Sequence, residues 1–167
     1  DPVRYAGWLD DGLLGFSAEG DAAWARPVMP RGDKPTDYEI DAAALAHAPF
    51  VTANCFCRRS VLERLGGFDG RFGQAWREDS DLHFRLLASG AHVAHLPDAT
   101  VVHPIRPAPW GVSLRQQRKI LFDALHYKKH PALYRARIRK QPRWDYYAIT
   151  GSLLLAMLIS VGTLAQV

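Results

Sequence analysis

Residues 76–82 read Trp76-Arg77-Glu78-Asp79-Ser80-Asp81-Leu82 and place three carboxylates within four positions. Apolar residues then recur at helical spacing as far as Gly90, which predicts a helix that begins in this acidic cluster and ends at a glycine cap. The positive end of such a helix would favour ionised carboxylates. An ionised carboxylate at a rigid helix start suits a general base that takes a proton from an alcohol. Read alone, the cluster favours a simpler interpretation, in which Asp79 or Ser80 caps the helix.

The segments around this cluster predict a mixed α/β fold. Residues 50–57 form an apolar run rich in strand-forming residues, which predicts a strand. A short helix should follow, because Ser60 and Glu63 fit a capping box and Gly66 fits the C-cap. The turn at residues 66–69 would then deliver the loop 70–77 to a cleft. Two more apolar runs, at 91–96 and 99–103, predict two further strands.

These motifs occur in an order that resembles a known family. They are Arg58-Arg59-Ser60-Val61-Leu62-Glu63-Arg64-Leu65-Gly66-Gly67-Phe68-Asp69, then Glu78-Asp79-Ser80-Asp81-Leu82, Arg85-Leu86, Gly90, and Leu96-Pro97-Asp98-Ala99-Thr100-Val101-Val102-His103. Residues 50–105 thereby resemble the C-terminal, acceptor-side half of family 2 glycosyltransferases, which have the GT-A fold. The resemblance implies an inverting, single-displacement transfer of a sugar from a nucleotide-diphospho-sugar to an acceptor hydroxyl.

The resemblance also implies a role for each residue of the acidic cluster. Asp79 is expected to be the catalytic base that deprotonates the acceptor hydroxyl. Glu78 and Asp81 are expected to position the acceptor or the helix start. Trp76 offers an apolar face for a sugar ring, and Arg77 is expected to pair with a carboxylate or to meet an anionic acceptor.

A divalent cation is a further implication of the resemblance. His103 ends the last strand, where the family places a histidine in the site for Mn²⁺ or Mg²⁺, and such a cation neutralises the leaving diphosphate. His83, His92 and His95 lack that support and are expected to be structural or exposed. Asp79-Ser80-Asp81 also fits the metal-binding D-x-D pattern, but we reject that interpretation because the motif ordinarily closes an apolar strand and none precedes it here.

The donor-binding half of the family fold has no counterpart among these motifs. No other D-x-D and no glycine-rich phosphate loop occurs in the sequence. The chain also starts without Met or a signal peptide. We therefore expect a fragment that transfers no sugar by itself, while the donor site lies mostly in an N-terminal half outside it.

Residues 1–49 show no sustained periodicity and are predicted to form an irregular, Pro/Gly-rich lead-in, with one short apolar element between residues 5 and 16. The acceptor-side part would then span residues 50–112. Cys55 and Cys57 are the only cysteines. At i and i+2 on a strand they share one face and cannot easily bridge each other, so we expect two small core residues in a reducing compartment.

Positive charge is concentrated in the C-terminal third. The chain carries 21 Lys and Arg against 17 Asp and Glu, and ten of these cations lie between Arg115 and Asp145. Residues 113–145 are predicted to form basic amphipathic helices at a membrane surface, with the first helix stopped by Pro131.

Residues 146–167 carry no formal charge. As a helix, these residues would reach about 33 Å, enough for a hydrocarbon core of about 30 Å. We predict a transmembrane helix, with residues 1–145 on the cytoplasmic side of an inner or plasma membrane because the cations precede the span. A buried helix of a soluble protein is the alternative. The membrane suggests a lipid-linked or cell-envelope polysaccharide acceptor, by analogy only.

Two other functions stay open at this point. The chain could be a non-catalytic, membrane-tethered binding module that kept the glycosyltransferase-like fold and lost the reaction. It could also bind nucleic acid through its basic stretch, but the adjacent apolar span argues against this, and no nucleic-acid partner is expected.

Overall fold

The computed structural model describes Trp8, Asp10 and residues 20–164, with side chains as far as residue 162. This part of the chain is a mixed α/β structure with short strands. Its elements in chain order are β1 (Ala22–Trp24), β2 (Pro27–Val28), α1 (Asp37–Ala43), β3 (Cys55–Cys57), α2 (Arg59–Leu65), α3 (Glu78–Ala88), β4 (Val93–His95), β5 (Val101–Val102), α4 (Val112–Gln116), α5 (Ile120–Lys129), α6 (Pro131–Arg137) and α7 (Trp144–Leu164).

Strand β1 is the centre of a three-stranded sheet. It pairs antiparallel with β3, where Ala23 lies opposite Phe56, and parallel with β4, where Ala23 lies opposite Ala94. A second sheet consists of β2 and β5, paired in parallel. The prediction of an irregular lead-in over residues 1–49 is therefore wrong for residues 22–28, which supply one strand to each sheet, and for Asp37–Ala43, which form helix α1. Three residues are too few to show an alternating pattern, so no periodic signal marks these strands in the sequence.

The core lies between the three-stranded sheet and helices α2 and α3. Its fully buried members are Ala22, Phe50, Val61, Leu82 and Leu86. Burying one Phe, Val or Leu side chain contributes roughly 1.5–3 kcal/mol relative to leaving it exposed. The buried side chains of Leu82 and Leu86 therefore hold helix α3 against the sheet.

The strand predicted over residues 50–57 is shorter than expected. Residues Thr52–Asn54 form a 3₁₀ turn, and only Cys55–Cys57 are extended. Phe50 before them has a φ of +55°, which breaks the strand geometry. Both cysteines have free thiols and pack beside the core, and burial raises the pKa of Cys55 to about 11.

Helix α2 ends as predicted but begins differently. Gly66 adopts a left-handed φ of +76° and caps the helix, and its backbone N–H donates to the carbonyl of Glu63. The predicted capping box of Ser60 and Glu63 is absent, because the helix already begins at Arg59 and Arg58 is its N-cap. The carboxylate of Glu63 instead binds Nε of Arg59 at 2.7 Å.

The chain divides into two compact units, residues 1–130 and residues 131–167. Helices α4 and α5 belong to the first unit, whereas the sequence analysis grouped residues 113–145 as one segment. Helix α5 ends at Lys129, just before Pro131, as predicted. The predicted apolar element at residues 5–16 lies outside the described residues except for Trp8, whose Nε1 donates to Oδ1 of Asn54 at 2.7 Å.

Helix α7 in the second unit is long and apolar enough to cross a membrane, by length and composition. The window Trp144–Gly162 is entirely unburied within the described structure. A helix buried in the core of a soluble protein was the alternative interpretation of this segment, and the described residues bury none of that window.

Candidate active site

The start of helix α3 carries the acidic cluster. Glu78 is its first residue, and Arg77 is the N-cap, with a left-handed φ of +72° and no side-chain cap hydrogen bond. Asp79 and Ser80 lie inside the first turn, where the backbone N–H of Ser80 donates to Oδ1 of Asp79 at 2.7 Å. Neither Asp79 nor Ser80 is the N-cap, so the interpretation of these two residues as helix caps is wrong.

The residues before the helix bind a carboxylate from helix α5. Asp123 Oδ1 accepts from Nε of Arg77 at 2.6 Å, and its Oδ2 accepts from Nε1 of Trp76 at 3.2 Å. Lys119 places its ammonium 5.5 Å from the centre of the Trp76 ring. Arg77 was predicted to pair with a carboxylate or to meet an anionic acceptor. It pairs with a carboxylate, but that carboxylate belongs to Asp123, outside the acidic cluster.

Sequence analysis did not identify Asp123 as a site residue. One signal was present, because Asp123 is the only acid among the cations between Arg115 and Arg143. An isolated acid inside a basic helix is a candidate for a buried or partly buried ion pair. The partners, however, lie 46 and 47 positions earlier, and no local pattern connects them.

Asp79 and Glu78 are half-buried carboxylates whose pKa values are both raised. Burial is the largest cause for each, and it outweighs the stabilising hydrogen bond that Asp79 accepts from the Ser80 backbone. The helix N-terminus was expected to favour the ionised forms of Glu78 and Asp79. The net shift of their pKa values has the opposite direction, because loss of water around these groups has the larger effect. Oε2 of Glu78 is buried and has no hydrogen-bond partner within the described ranges.

Asp81 is fully buried and surrounded by cationic partners. Its oxygens lie 2.8 Å from Nε of Arg85, 2.5 Å from Nζ of Lys129 and 2.9 Å from Nε2 of His130. Burial alone would raise the pKa of Asp81, but hydrogen bonds from these three side chains lower it overall. Asp81 was predicted to position either the acceptor or the helix start. These contacts suit a residue that holds the start of helix α3 better than one that contacts an acceptor.

The turn before the loop is held by the same cations. Arg85 donates to the backbone carbonyls of Leu65 and Gly67 at 2.9 and 2.7 Å. Lys129 also binds Oδ2 of Asp69 at 2.5 Å. The loop 70–77 is therefore fixed at its first end through Asp69 and at its second end through Arg77.

The histidines fall into three different environments. His83 is buried and stacks on Phe50, with ring centres 5.1 Å apart, so it is structural as predicted. His92 and His95 are exposed, and the ring of His95 lies against Trp24. His103 follows β5, where its backbone N–H donates to the carbonyl of Val28 at 2.8 Å.

The described residues do not fit a metal site around His103. No group of three or more His, Cys, Asp or Glu side chains in this part of the chain is arranged to hold a metal ion. One imidazole is too few ligands to hold Mn²⁺ or Mg²⁺ from the protein side. A cation at His103 would need further ligands from outside the described residues.

The sequence of the chain matches an established family. A model of glycosyl transferase family group 2 covers residues 37–165, which include α1, the loop 70–77, the acidic start of α3 and helix α5. Comparisons with curated proteins and with solved structures gave no significant match. Since the family model covers well over half of the 167 residues, the chain belongs to glycosyl transferase family group 2.

Proposed function

We propose that this chain supplies the acceptor-side catalytic residues of an inverting glycosyltransferase, with Asp79 as the base. Family membership supports glycosyl transfer in general. The observation that carries the finer proposal is the state of Asp79, a half-buried carboxylate on the first turn of α3 whose pKa is raised by burial. A raised pKa makes a carboxylate a stronger base once it is ionised.

The proposed reaction is a single displacement at the anomeric carbon. The acceptor hydroxyl donates a hydrogen bond to Asp79, and its oxygen attacks the anomeric carbon of a nucleotide-diphospho-sugar. The new C–O bond forms as the bond to the diphosphate oxygen breaks, and the hydroxyl proton passes to Asp79. Attack from the side opposite the leaving group inverts the configuration.

The neighbours of Asp79 are proposed to orient the acceptor. Trp76 is proposed as the platform for a sugar ring, with its indole N–H already held by Asp123. Glu78 is proposed to contact an acceptor hydroxyl, because its buried Oε2 has no hydrogen-bond partner in the structure described from residue 20 onward. A hydroxyl group that donated to this oxygen would remove the cost of its burial.

The remaining parts of the proposal rest on the family resemblance. They are a nucleotide-diphospho-sugar donor, Mn²⁺ or Mg²⁺ with His103 as one ligand in the complete enzyme, and no sugar transfer by residues 1–167 alone. The GT-A architecture of the acceptor half likewise rests on the family resemblance. A location in the inner or plasma membrane, with residues 1–145 cytoplasmic, is supported by α7 and by the cations that precede it. The acceptor would then be a sugar or lipid-linked molecule of cell-envelope polysaccharide, exopolysaccharide or glycolipid synthesis.

The decisive experiment replaces Asp79 by Asn in the native gene product purified from membranes. Loss of a general base should lower kcat by about 10²- to 10⁴-fold while the protein stays folded. Glu63→Gln is the matched control, since it removes a carboxylate from an exposed ion pair on α2. Undiminished transfer by Asp79→Asn would reject Asp79 as the base. A wild-type native protein without any transferase activity would favour the non-catalytic binding module.

A further inference from the structure

We infer that Asp123 on helix α5 is a positioning residue of the proposed active site, and that it holds the loop–helix junction from which Asp79 projects. This inference rests on the proposed function for its catalytic consequence. Its structural basis is independent of that function and consists of contacts between α5 and the junction.

The junction contains a residue with positive φ and has no side-chain N-cap. Arg77 and Phe50 are the two non-glycine residues with positive φ in the part of the chain that the structure describes. Arg77 also lacks the side-chain cap that usually satisfies the first backbone N–H groups of a helix. A non-glycine residue keeps a left-handed conformation only where surrounding contacts impose it.

Asp123 provides such contacts with both of its oxygens. One oxygen accepts from Arg77 at 2.6 Å, and the other accepts from Trp76 at 3.2 Å, so a single carboxylate fixes two consecutive side chains. The pair with Arg77 is charge-assisted and its side chains are only 26% and 22% exposed. Partial burial makes such a bond stronger and more directional than an ion pair in water.

A second contact from the same helix fixes the other end of the loop. Lys129 lies six residues after Asp123 and binds both Asp69 and Asp81. The loop 70–77 is thus held between two charged residues of α5. Asp81 belongs to the first turn of α3, so Lys129 secures the helix as well as the loop.

The position of the junction affects catalysis through the distance between the Asp79 carboxylate and the acceptor hydroxyl. Asp79 follows Arg77 by two positions, so a shift of the junction moves the carboxylate relative to the acceptor hydroxyl. A displacement of about 1 Å can lower the rate of an enzymatic reaction by about 10²-fold. Asp123 itself has both oxygens occupied, which suits a role exerted through Trp76 and Arg77 rather than direct contact with substrate.

The test uses the native gene product in detergent or nanodiscs and two readouts. The first is hydrogen–deuterium exchange of peptides covering residues 70–82, with peptides from α2 as the internal reference. The second is kcat and KM for sugar transfer. The variants are Asp123→Ala, Asp123→Asn, Arg77→Ala and the double variant Arg77→Ala/Asp123→Ala, with Glu63→Gln on α2 as control.

For Asp123→Ala we expect exchange in residues 70–82 to become about tenfold faster, without change in α2. We expect kcat to fall about 10- to 100-fold and KM to change less than about threefold. Asp123→Asn should be intermediate, because its amide oxygen can still accept one of the two hydrogen bonds. The double variant should be no slower than the more impaired single variant, because both changes remove the same contact between Arg77 and Asp123.

Three results would overturn the inference. Unchanged exchange in Asp123→Ala would show that the carboxylate does not hold the junction. Additive losses in the double variant would show that Asp123 does not act through Arg77, and a rise in KM with normal kcat would show that it acts on substrate. Asp79→Asn is measured in parallel. Full activity of this variant would reject Asp79 as the catalytic base, whereas the exchange data on the Asp123 variants would still decide whether Asp123 holds the junction.

Discussion

The ammonium group of Lys129 lies 2.5 Å from Oδ1 of Asp81, which has no exposed surface. The two residues are 48 positions apart in the sequence and connect the end of α5 to the first turn of α3. His130 and Arg85 complete the group around the same carboxylate. A slip of these helices would leave the buried carboxylate unpaired, which is costly.

Replacement of Asp81 by Asn should lower the free energy of unfolding by about 3–5 kcal/mol, since Lys129 and Arg85 lose the buried charge that they neutralise. Thermal or denaturant unfolding of the purified protein measures the effect. Glu63→Gln, which breaks an exposed ion pair, should leave the midpoint unchanged. Equal stability of Asp81→Asn and wild type would contradict this account of the buried group.

Asp79→Asn should have the opposite effect on stability. Burial raises the pKa of Asp79 in the folded protein, so folding favours the protonated carboxyl and the ionised form costs stability above that pKa. Removal of the charge should therefore leave the free energy of unfolding at neutral pH unchanged or increase it, and the difference from wild type should disappear in acid. A marked loss of stability at neutral pH would instead indicate that Asp79 makes a structural contact.

The pH dependence of sugar transfer should report the same group. The base acts only when ionised, so kcat/KM should rise with pH through an apparent pKa above the ordinary value of an Asp carboxyl, because burial raises the pKa of Asp79. Initial rates over the acid range, at subsaturating acceptor, measure this limb. Glu63→Gln should keep the same limb, whereas a limb at the ordinary carboxyl value would argue against a half-buried base.

His103→Ala tests the proposed cation site. If His103 is a ligand in the complete enzyme, the variant should need about tenfold or more Mn²⁺ or Mg²⁺ for half-maximal activity. Titration of the metal-stripped enzyme measures that concentration. His92→Ala, which alters an exposed histidine, is the control. An identical metal requirement in His103→Ala would remove His103 from the site.

The apolar helix α7 gives a prediction about membrane insertion. Arg in place of Leu154, near the middle of the helix, should reduce insertion because a charge at the centre of the bilayer costs about 2.5–3.5 kcal/mol. Carbonate extraction of membranes, followed by detection of the released protein, measures the change. Leu114→Arg alters an exposed apolar residue of α4 and should stay in the membrane fraction. Equal extraction of the two variants would show that α7 does not span.

Local patterns predicted helix α3 well because its determinants are close together in the chain. The helix starts at Glu78 in the acidic cluster, and Gly90 takes a φ of +73° just past its end. A capping box at Thr36 and Glu39 was equally readable in the sequence and was overlooked. It is formed at the start of α1, where the backbone N–H of Glu39 donates to Oγ1 of Thr36 at 3.3 Å. The matching pattern at Ser60 is unused because α2 begins one residue earlier.

The sequence by itself determined the family, through several motifs in order along the chain. It also determined the position of the acidic helix start and the apolar C-terminal helix, since each of these depends on residues within one short stretch. Only the tertiary structure decided that Ala22–Trp24 form the central strand, because three residues carry no periodic signal. It also decided the pairing of Arg77 with Asp123 and of Asp81 with Lys129, two residues of a helix more than 40 positions later. The direction of the pKa shift at Asp79 depends on burial in the folded protein, and burial is a property of the whole fold that the order of neighbouring residues does not contain.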